Sequence, residues 1–297
     1  MNRKKGILLL LSGAALISFA PVLVKLTSVG PSAAAFYRLA IGGVALCTVG
    51  LLRRDRWSLS RVAFLVVASA GFFFAVDLGL WHRSIGLVGP GLATILANCQ
   101  VFAMAGFGAV VLKERIGWRY AGGTATALVG LFLIFGRNWG ELSPGYRWGV
   151  IAGLLAAASY ATFLILLRAS RLRSDGLATV PNMGVIVLMG ALFAGVHVAV
   201  AGESFAVPSL TDWTVLIVYG VMTSVAWLII SRALPAVEVS RAGLILLLQP
   251  SLAFIWDLLF FSRPTQAFEF LGVALALTGI YLGSITVEKV HQPEAQV

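Results

Sequence analysis

Long apolar stretches separated by short polar gaps run the length of this 297-residue chain. A helix needs roughly 20 apolar residues to cross about 30 Å of hydrocarbon. Ten stretches meet that requirement: 6–26, 32–52, 62–83, 88–112, 117–136, 148–167, 178–201, 212–232, 237–261 and 267–286. Inside lipid every backbone polar group must be satisfied, which leaves helices or closed barrels, and unbroken apolar runs of this length exclude a barrel. Several boundaries carry breakers: Gly30-Pro31, Gly89-Pro90-Gly91, Ser143-Pro144-Gly145, Asp175-Gly176 and Pro264. The start, with Arg3, Lys4 and Lys5 ahead of apolar residues from Ile7 to Ala20, has the outline of a signal peptide. Nine further spans follow, so it is read as the first retained helix. The predicted fold class is all-α integral membrane, with ten transmembrane helices.

The pattern repeats. An offset of 149 carries Arg83 onto Arg232, Ala93 onto Ala242, Gln100 onto Gln249, Gly123 onto Gly272, Ala127 onto Ala276 and Gly130 onto Gly279. An offset of 143 carries Gly6 onto Gly149 and Lys25 onto Arg168 in the first span of each half. Two halves are therefore expected, 1–140 and 141–288, followed by a short cytoplasmic tail at 289–297. Five is an odd number of spans, so the second half enters the membrane from the opposite side. Inverted five-helix repeats of this kind are common in secondary transporters, with the binding site near the midplane between them. The recurring Gly123, Ala127, Gly130 and Gly272, Ala276, Gly279 are small residues that let helices approach closely, which marks the fifth and tenth spans as scaffold.

Composition agrees: 59% of residues are hydrophobic and 11% charged, against about 25% charged in an ordinary soluble domain. The net charge of +10 is no nucleic-acid signature, because the basic residues sit in gaps between spans rather than on one folded face. With the N-terminus inside, the 22 Lys and Arg divide into 16 inner, 4 outer (Arg83, Arg137, Arg147, Arg263) and 2 within spans, Lys25 and Arg38. The positive-inside rule then puts both termini in the cytoplasm. Cys47 and Cys99 lie in apolar segments, away from any metal-ligand spacing, so neither a disulfide nor a metal site is indicated. No HExxH, GxSxG or Walker-type run is present. The expectation is a carrier, not an enzyme, with no cofactor. Its partners would be a small-molecule substrate and the bilayer, as a monomer or homodimer. A structural or channel-like subunit is the alternative from a different class.

Ionisable residues inside spans are costly, about 2.5 kcal/mol or more on insertion scales, and so have a partner or a function. Arg38 and Asp77 are each about six residues from an outer membrane end, a depth near 9 Å at about 1.5 Å per residue. Two readings stand: an ion pair locking the second and third spans, or a substrate or proton role for Asp77. Trp81, one turn beyond, is either a cavity wall or part of the interfacial aromatic belt. His82 and Arg83 read as anchors at the outer edge. Asn98 and Gln100 in the fourth span and Gln249 in the ninth form either a recognition site or interhelical hydrogen bonds. Pro250 takes a donor from the Leu246 carbonyl. Trp256 and Asp257 read as gate residues near Arg263 and Glu269. Tyr160 and Trp227 are candidate cavity rings, and His197 fits the outer interface.

Several stretches carry a family likeness: Phe19-Ala20-Pro21 to Lys25, Gly30-Pro31 leading to Tyr37-Arg38, Lys113-Glu114-Arg115, Gly122-Gly123 with Gly130, Gln249-Pro250, and Gly272 to Gly279. With them the chain resembles the drug/metabolite transporter superfamily, in its ten-helix EamA-type branch, over nearly its whole length. The resemblance implies an inner-membrane exporter or exchanger of amino acids or similar metabolites, with a central cavity lined by spans 3, 4, 8 and 9. Ser262-Arg263-Pro264 departs from the pattern, lacking the acidic residue expected to echo Glu114. The four-helix multidrug carriers of that superfamily use a first-helix glutamate, and the first span here has no carboxylate. Multidrug efflux by that route is disfavoured.

Overall fold

The computed structural model describes residues 3–100, 102–103, 110, 118–133, 140, 142–173, 176–233, 246, 248–262 and 266–284. Eleven helices are bounded among them: α1 Arg3–Ile17, α2 Ala20–Leu26, α3 Pro31–Leu52, α4 Arg61–Val88, α5 Pro90–Ala97, α6 Trp118–Leu131, α7 Pro144–Leu172, α8 Thr179–Val200, α9 Leu210–Ala233, α10 Leu248–Phe261 and α11 Ala267–Ser284. No strand occurs among the described residues. Helix starts follow local chemistry. Pro31, Pro90 and Pro144 stand in first turns, where the missing N–H costs nothing. The Ser60 and Ser143 side chains accept from Ala63 N and Tyr146 N to cap α4 and α7. Among the described residues six stretches are long and apolar enough to cross a membrane, and large apolar side chains such as Leu52, Leu65 and Val200 face outward. The protein is a multi-pass membrane protein.

The structure departs from the predicted spans in three places. The first span is two helices, α1 and α2, separated by a turn at Ser18-Phe19. Pro21 is the cause: it has no N–H for the Ile17 carbonyl four residues earlier, and Phe19 N turns instead to Leu16 O at 3.4 Å. The fourth span starts at Pro90 rather than 88, and a turn at Asn98-Cys99 ends α5. The third span runs on to Val88, so Asp77 lies eleven residues from its end. That puts Asp77 about 16 Å from the end of the helix at 1.5 Å per residue. Lys113, Glu114, Arg115, Arg137, Arg241, Arg263, Pro264 and Lys289 lie outside the described residues, as does residue 247 between Leu246 and Pro250.

The main packing pairs join the two halves. α4 packs on α7 and α1 on α9; α4 packs on α8 and α3 on α9; α3 meets α8, α5 meets α10 and α6 meets α11. Exchanging the halves maps this set of contacts onto itself. Glycine contacts repeat the relation: Gly42 of α3 abuts the Gly220 carbonyl of α9, and Gly190 of α8 abuts the Gly71 carbonyl of α4. In the α6·α11 pair, a Cβ on Gly130 would fall on the backbone of Gly272 and Ala276, and one on Gly279 on that of Gly123 and Ala127. The late residue of each helix meets the early residues of the other, so α6 and α11 run antiparallel about a local two-fold axis. This is the intimate contact expected of the fifth and tenth spans.

That contact leaves no room for a side chain. Gly130→Ala should cost about 1–3 kcal/mol through overpacking against backbone and lower the melting temperature in detergent by several degrees. Gly122→Ala, with nothing within 4 Å of its Cβ, is the control expected to leave melting unchanged. Equal melting of the two variants would contradict the close α6·α11 seam.

Candidate functional site

A cavity of about 500 Å³, its mouth included, lies where the interrupted helices meet. Ile17, Ser18, Ala20 and Pro21 contribute the α1/α2 break, and α3 contributes Arg38. From α4 come Phe74, Asp77, Leu78 and Trp81, and from α5 and its end Thr94, Ala97 and Asn98. The second half supplies Tyr160 of α7, Trp227 of α9 and Gln249 of α10. The α4 residues follow i, i+3, i+4, i+7 spacing, which places them on one face of a helix. The 149 offset carries Leu78 onto Trp227 and the 143 offset carries Ile17 onto Tyr160, so equivalent positions of both halves reach the same space.

The polar inventory is uneven. Asn98 Nδ2 donates to the Thr94 carbonyl at 2.8 Å and Thr94 Oγ1 to the Pro90 carbonyl at 2.8 Å, so both side chains are partly committed to α5. Gln100 does not line the cavity; it lies behind the wall, toward the Tyr160 hydroxyl, and its Oε1 is buried without a partner. The rings form a packed cluster: Phe74 stacks on Phe163 at 4.3 Å between centroids, and Trp227 stands edge-on to Phe74, Tyr160 and Phe163. The indole nitrogens of Trp81 and Trp227 are buried and unpartnered.

Asp77 and Arg38 both line the cavity and are 6% and 5% exposed. No ion pair joins them, and among the described residues Asp77 takes part in no hydrogen bond. The expected lock between the second and third spans is therefore not formed. Arg38 lies instead among rings, its guanidinium carbon 4.9 Å from the Tyr219 centroid, 5.7 Å from Phe74 and 5.9 Å from Trp81. Arg38 Nη1 donates to the Tyr219 hydroxyl at 2.8 Å. The hydroxyl then donates to His82 Nε2 at 2.7 Å, so His82 carries its proton on Nδ1 and gives it to the Pro31 carbonyl at 3.0 Å. A guanidinium cannot accept, which fixes the first bond, and the Pro31 carbonyl cannot donate, which puts the proton of a neutral His82 on Nδ1 and leaves Nε2 to accept. His82 is thus an inner link, not an interfacial anchor.

The end of the molecule where α3 begins is laced shut by side chains. Arg83 Nη2 reaches Ser32 Oγ at 2.8 Å, Glu203 Oε1 at 3.0 Å and His197 Nε2 at 3.2 Å. Asp212 accepts from Thr27 Oγ1 at 2.9 Å, Ser28 N at 2.8 Å, Ser28 Oγ at 2.9 Å and Ser209 Oγ at 2.6 Å. Sequence reasoning passed over Asp212 and Tyr219. Asp212 stands at a helix start, where a carboxylate is ordinary, and Tyr219 is an unremarked ring in an apolar span.

Trp256 and Asp257 do not line the cavity. Trp256 Nε1 donates to Ser18 Oγ at 3.0 Å, and its ring stacks on Phe19 at 4.6 Å. Asp257 is 2% exposed and accepts from Gly91 N at 3.0 Å, capping the first turn of α5 across the seam. A Cβ at Gly91 would lie 2.8 Å from Phe254 Cα, so the residue must be glycine for α10 to come this close. The two residues read from sequence as a gate thus each bond to the first half, away from the cavity lining.

The same organisation is met elsewhere. Twenty-nine chains of solved structures match; one crystal structure superposes with TM-score 0.65 over 97% of this chain and 100% of that chain, at 18% identity. At that identity the likeness speaks for the fold alone. None of the curated proteins compared with the chain matches it. Asp257→Ala would leave the Gly91 N–H buried without its acceptor, at about 1–3 kcal/mol; detergent melting should fall by several degrees, with Asp257→Asn recovering most of the loss, and unchanged melting of Asp257→Ala would refute the cap. The model of the EamA-like transporter family matches twice, over 4–136 and again over 147–285, and with a cavity built where those two stretches meet, this chain belongs to that family.

Proposed function

We propose that the protein is a secondary transporter that exports or exchanges a small metabolite, an amino acid or a relative of one, across the inner membrane by alternating access. The observation that carries this reading is the pair of opposite charges, Asp77 and Arg38, lining one cavity without being bound to each other. A buried carboxylate left unpaired is costly, and a cargo amine or a proton would relieve that cost. The cavity takes its walls from both halves, and the packing pairs are unchanged when the halves are exchanged. Both features suit a rocking motion of inverted repeats about a central site. Asn98 and Gln249 would orient the cargo, Trp81, Tyr160 and Trp227 would enclose its apolar part, and Gln100 would support Tyr160 from behind. Loop charge supports a cytoplasmic side for both termini. As a carrier it needs no nucleophile, metal or cofactor.

In proteoliposomes loaded with a panel of amino acids and tested with and without a pH gradient, the wild-type protein should release a subset. A charge-assisted hydrogen bond of about 1.5–3 kcal/mol corresponds to roughly tenfold or more in affinity, so Asp77→Asn should cut efflux by about that factor or abolish its pH dependence. Unchanged flux and pH profile in the folded variant would remove Asp77 from the mechanism.

A further inference from the structure

We infer that Arg38 is the receptor for an anionic group of the cargo, a carboxylate or a monoanion of similar size, and that Tyr219 and His82 are positioning residues that hold it. The inference rests on the reading of the cavity as the cargo site and adds the charge that the cargo must carry. A guanidinium has five N–H donors in a planar fork, and one of them is committed, to Tyr219. No carboxylate among the described residues forms an ion pair with Arg38 within 4 Å, the Asp77 charge acting on it only from further off, although Arg38 is 5% exposed. Rings ease the burial of a cation but accept no in-plane hydrogen bond. The remaining donors are matched by a group that brings a negative charge and two oxygens in one plane, the partner that arginine binds bidentately.

Space around the guanidinium agrees. Arg38 borders the central cavity and also a narrow gap toward Thr223 and Ser224. Thr223 Oγ1 donates to the Tyr219 carbonyl at 2.8 Å, and among the described residues the one hydrogen bond of the Arg38 fork runs to Tyr219. The chain from Tyr219 through His82 to Pro31 anchors one edge of the guanidinium to the start of α3 and leaves the opposite edge to the ligand. Asp77, on the same cavity, adds a site for a positive group. The cargo would then be an anion with room for an amine, and an uncharged isostere of the anionic group would be rejected.

The test uses purified full-length protein and three probes differing only in one group: benzoate, benzamide and benzylamine. Binding is read from quenching of tryptophan fluorescence, since Trp81 lies beside Arg38, and from thermal shift. Wild-type protein should bind benzoate saturably and at least about tenfold more tightly than benzamide, the ratio expected for a charge-assisted pair. Arg38→Gln should lose that preference, Arg38→Lys should keep part of it, and Tyr219→Phe should weaken benzoate several-fold while leaving benzylamine unchanged. Asp77→Asn should weaken benzylamine and spare benzoate. Wild-type protein that fails to bind benzoate saturably, or fails to prefer it to benzamide, overturns the inference without recourse to any variant, as does an undiminished preference in Arg38→Gln. Benzoate selectivity that depends on Arg38 in a protein moving no cargo would uphold the anion site and sink the transport reading. Amino-acid flux with the same KM in Arg38→Gln as in wild type would do the reverse.

Discussion

Pro21 has no N–H to offer the Ile17 carbonyl, and inside hydrocarbon such a group is tolerated only against protein or a wet cavity. Much of the architecture answers that constraint. The chain turns at Ser18-Phe19, and the cavity lies against Ile17, Ser18 and Pro21. On the other side, α10 of the second half covers the break, with Trp256 bonded to Ser18 and stacked on Phe19. The next residue, Asp257, caps α5. One helix of the second half thus braces two irregular places in the first, and polar space is confined between them.

The charges are arranged with equal economy. Arg38 is tied through Tyr219 and His82 to Pro31, while Arg83 and Asp212 hold the neighbouring residues Ser32, Thr27 and Ser28. The end where α3 begins is therefore latched by side chains from α3, α4, α9 and the segment after α8. Among the described residues at the opposite end, Arg53 and Asp55 form a pair at 3.8 Å, a kind of contact worth little. Access from one side would require the latch to open, and Arg38 is the cavity residue bonded to it.

Much of the scaffold was legible in the sequence because lipid imposes a simple rule on composition and length. The recurrence of Gly123 and Gly130 as Gly272 and Gly279 also read through, since only small residues permit the approach between α6 and α11. Asp77, Trp81, Asn98, Tyr160, Trp227 and Gln249 were found as embedded polar or aromatic residues, and all border the cavity. Contacts between helices were less legible. Arg38 and Asp77 match in depth along their helices, but depth says nothing of lateral distance, and no ion pair within 4 Å joins them. Trp256 and Asp257 read from sequence by position along one helix, which does not reveal their bonds to Ser18 and Gly91 in the first half. The break at Ser18 had a signal in Pro21, present in the sequence and left unused.

The central claim is that this cavity is the cargo site and opens alternately to the two sides of the membrane. The most direct measurement is thiol accessibility at its wall: Asn98→Cys, in a chain whose Cys47 and Cys99 are replaced, treated in sealed vesicles of both orientations with a membrane-impermeant maleimide. The account predicts labelling from either side, slowed by a transported amino acid and unaffected by one that is not transported. Labelling from one side alone, or labelling indifferent to cargo in a transporting protein, would contradict it.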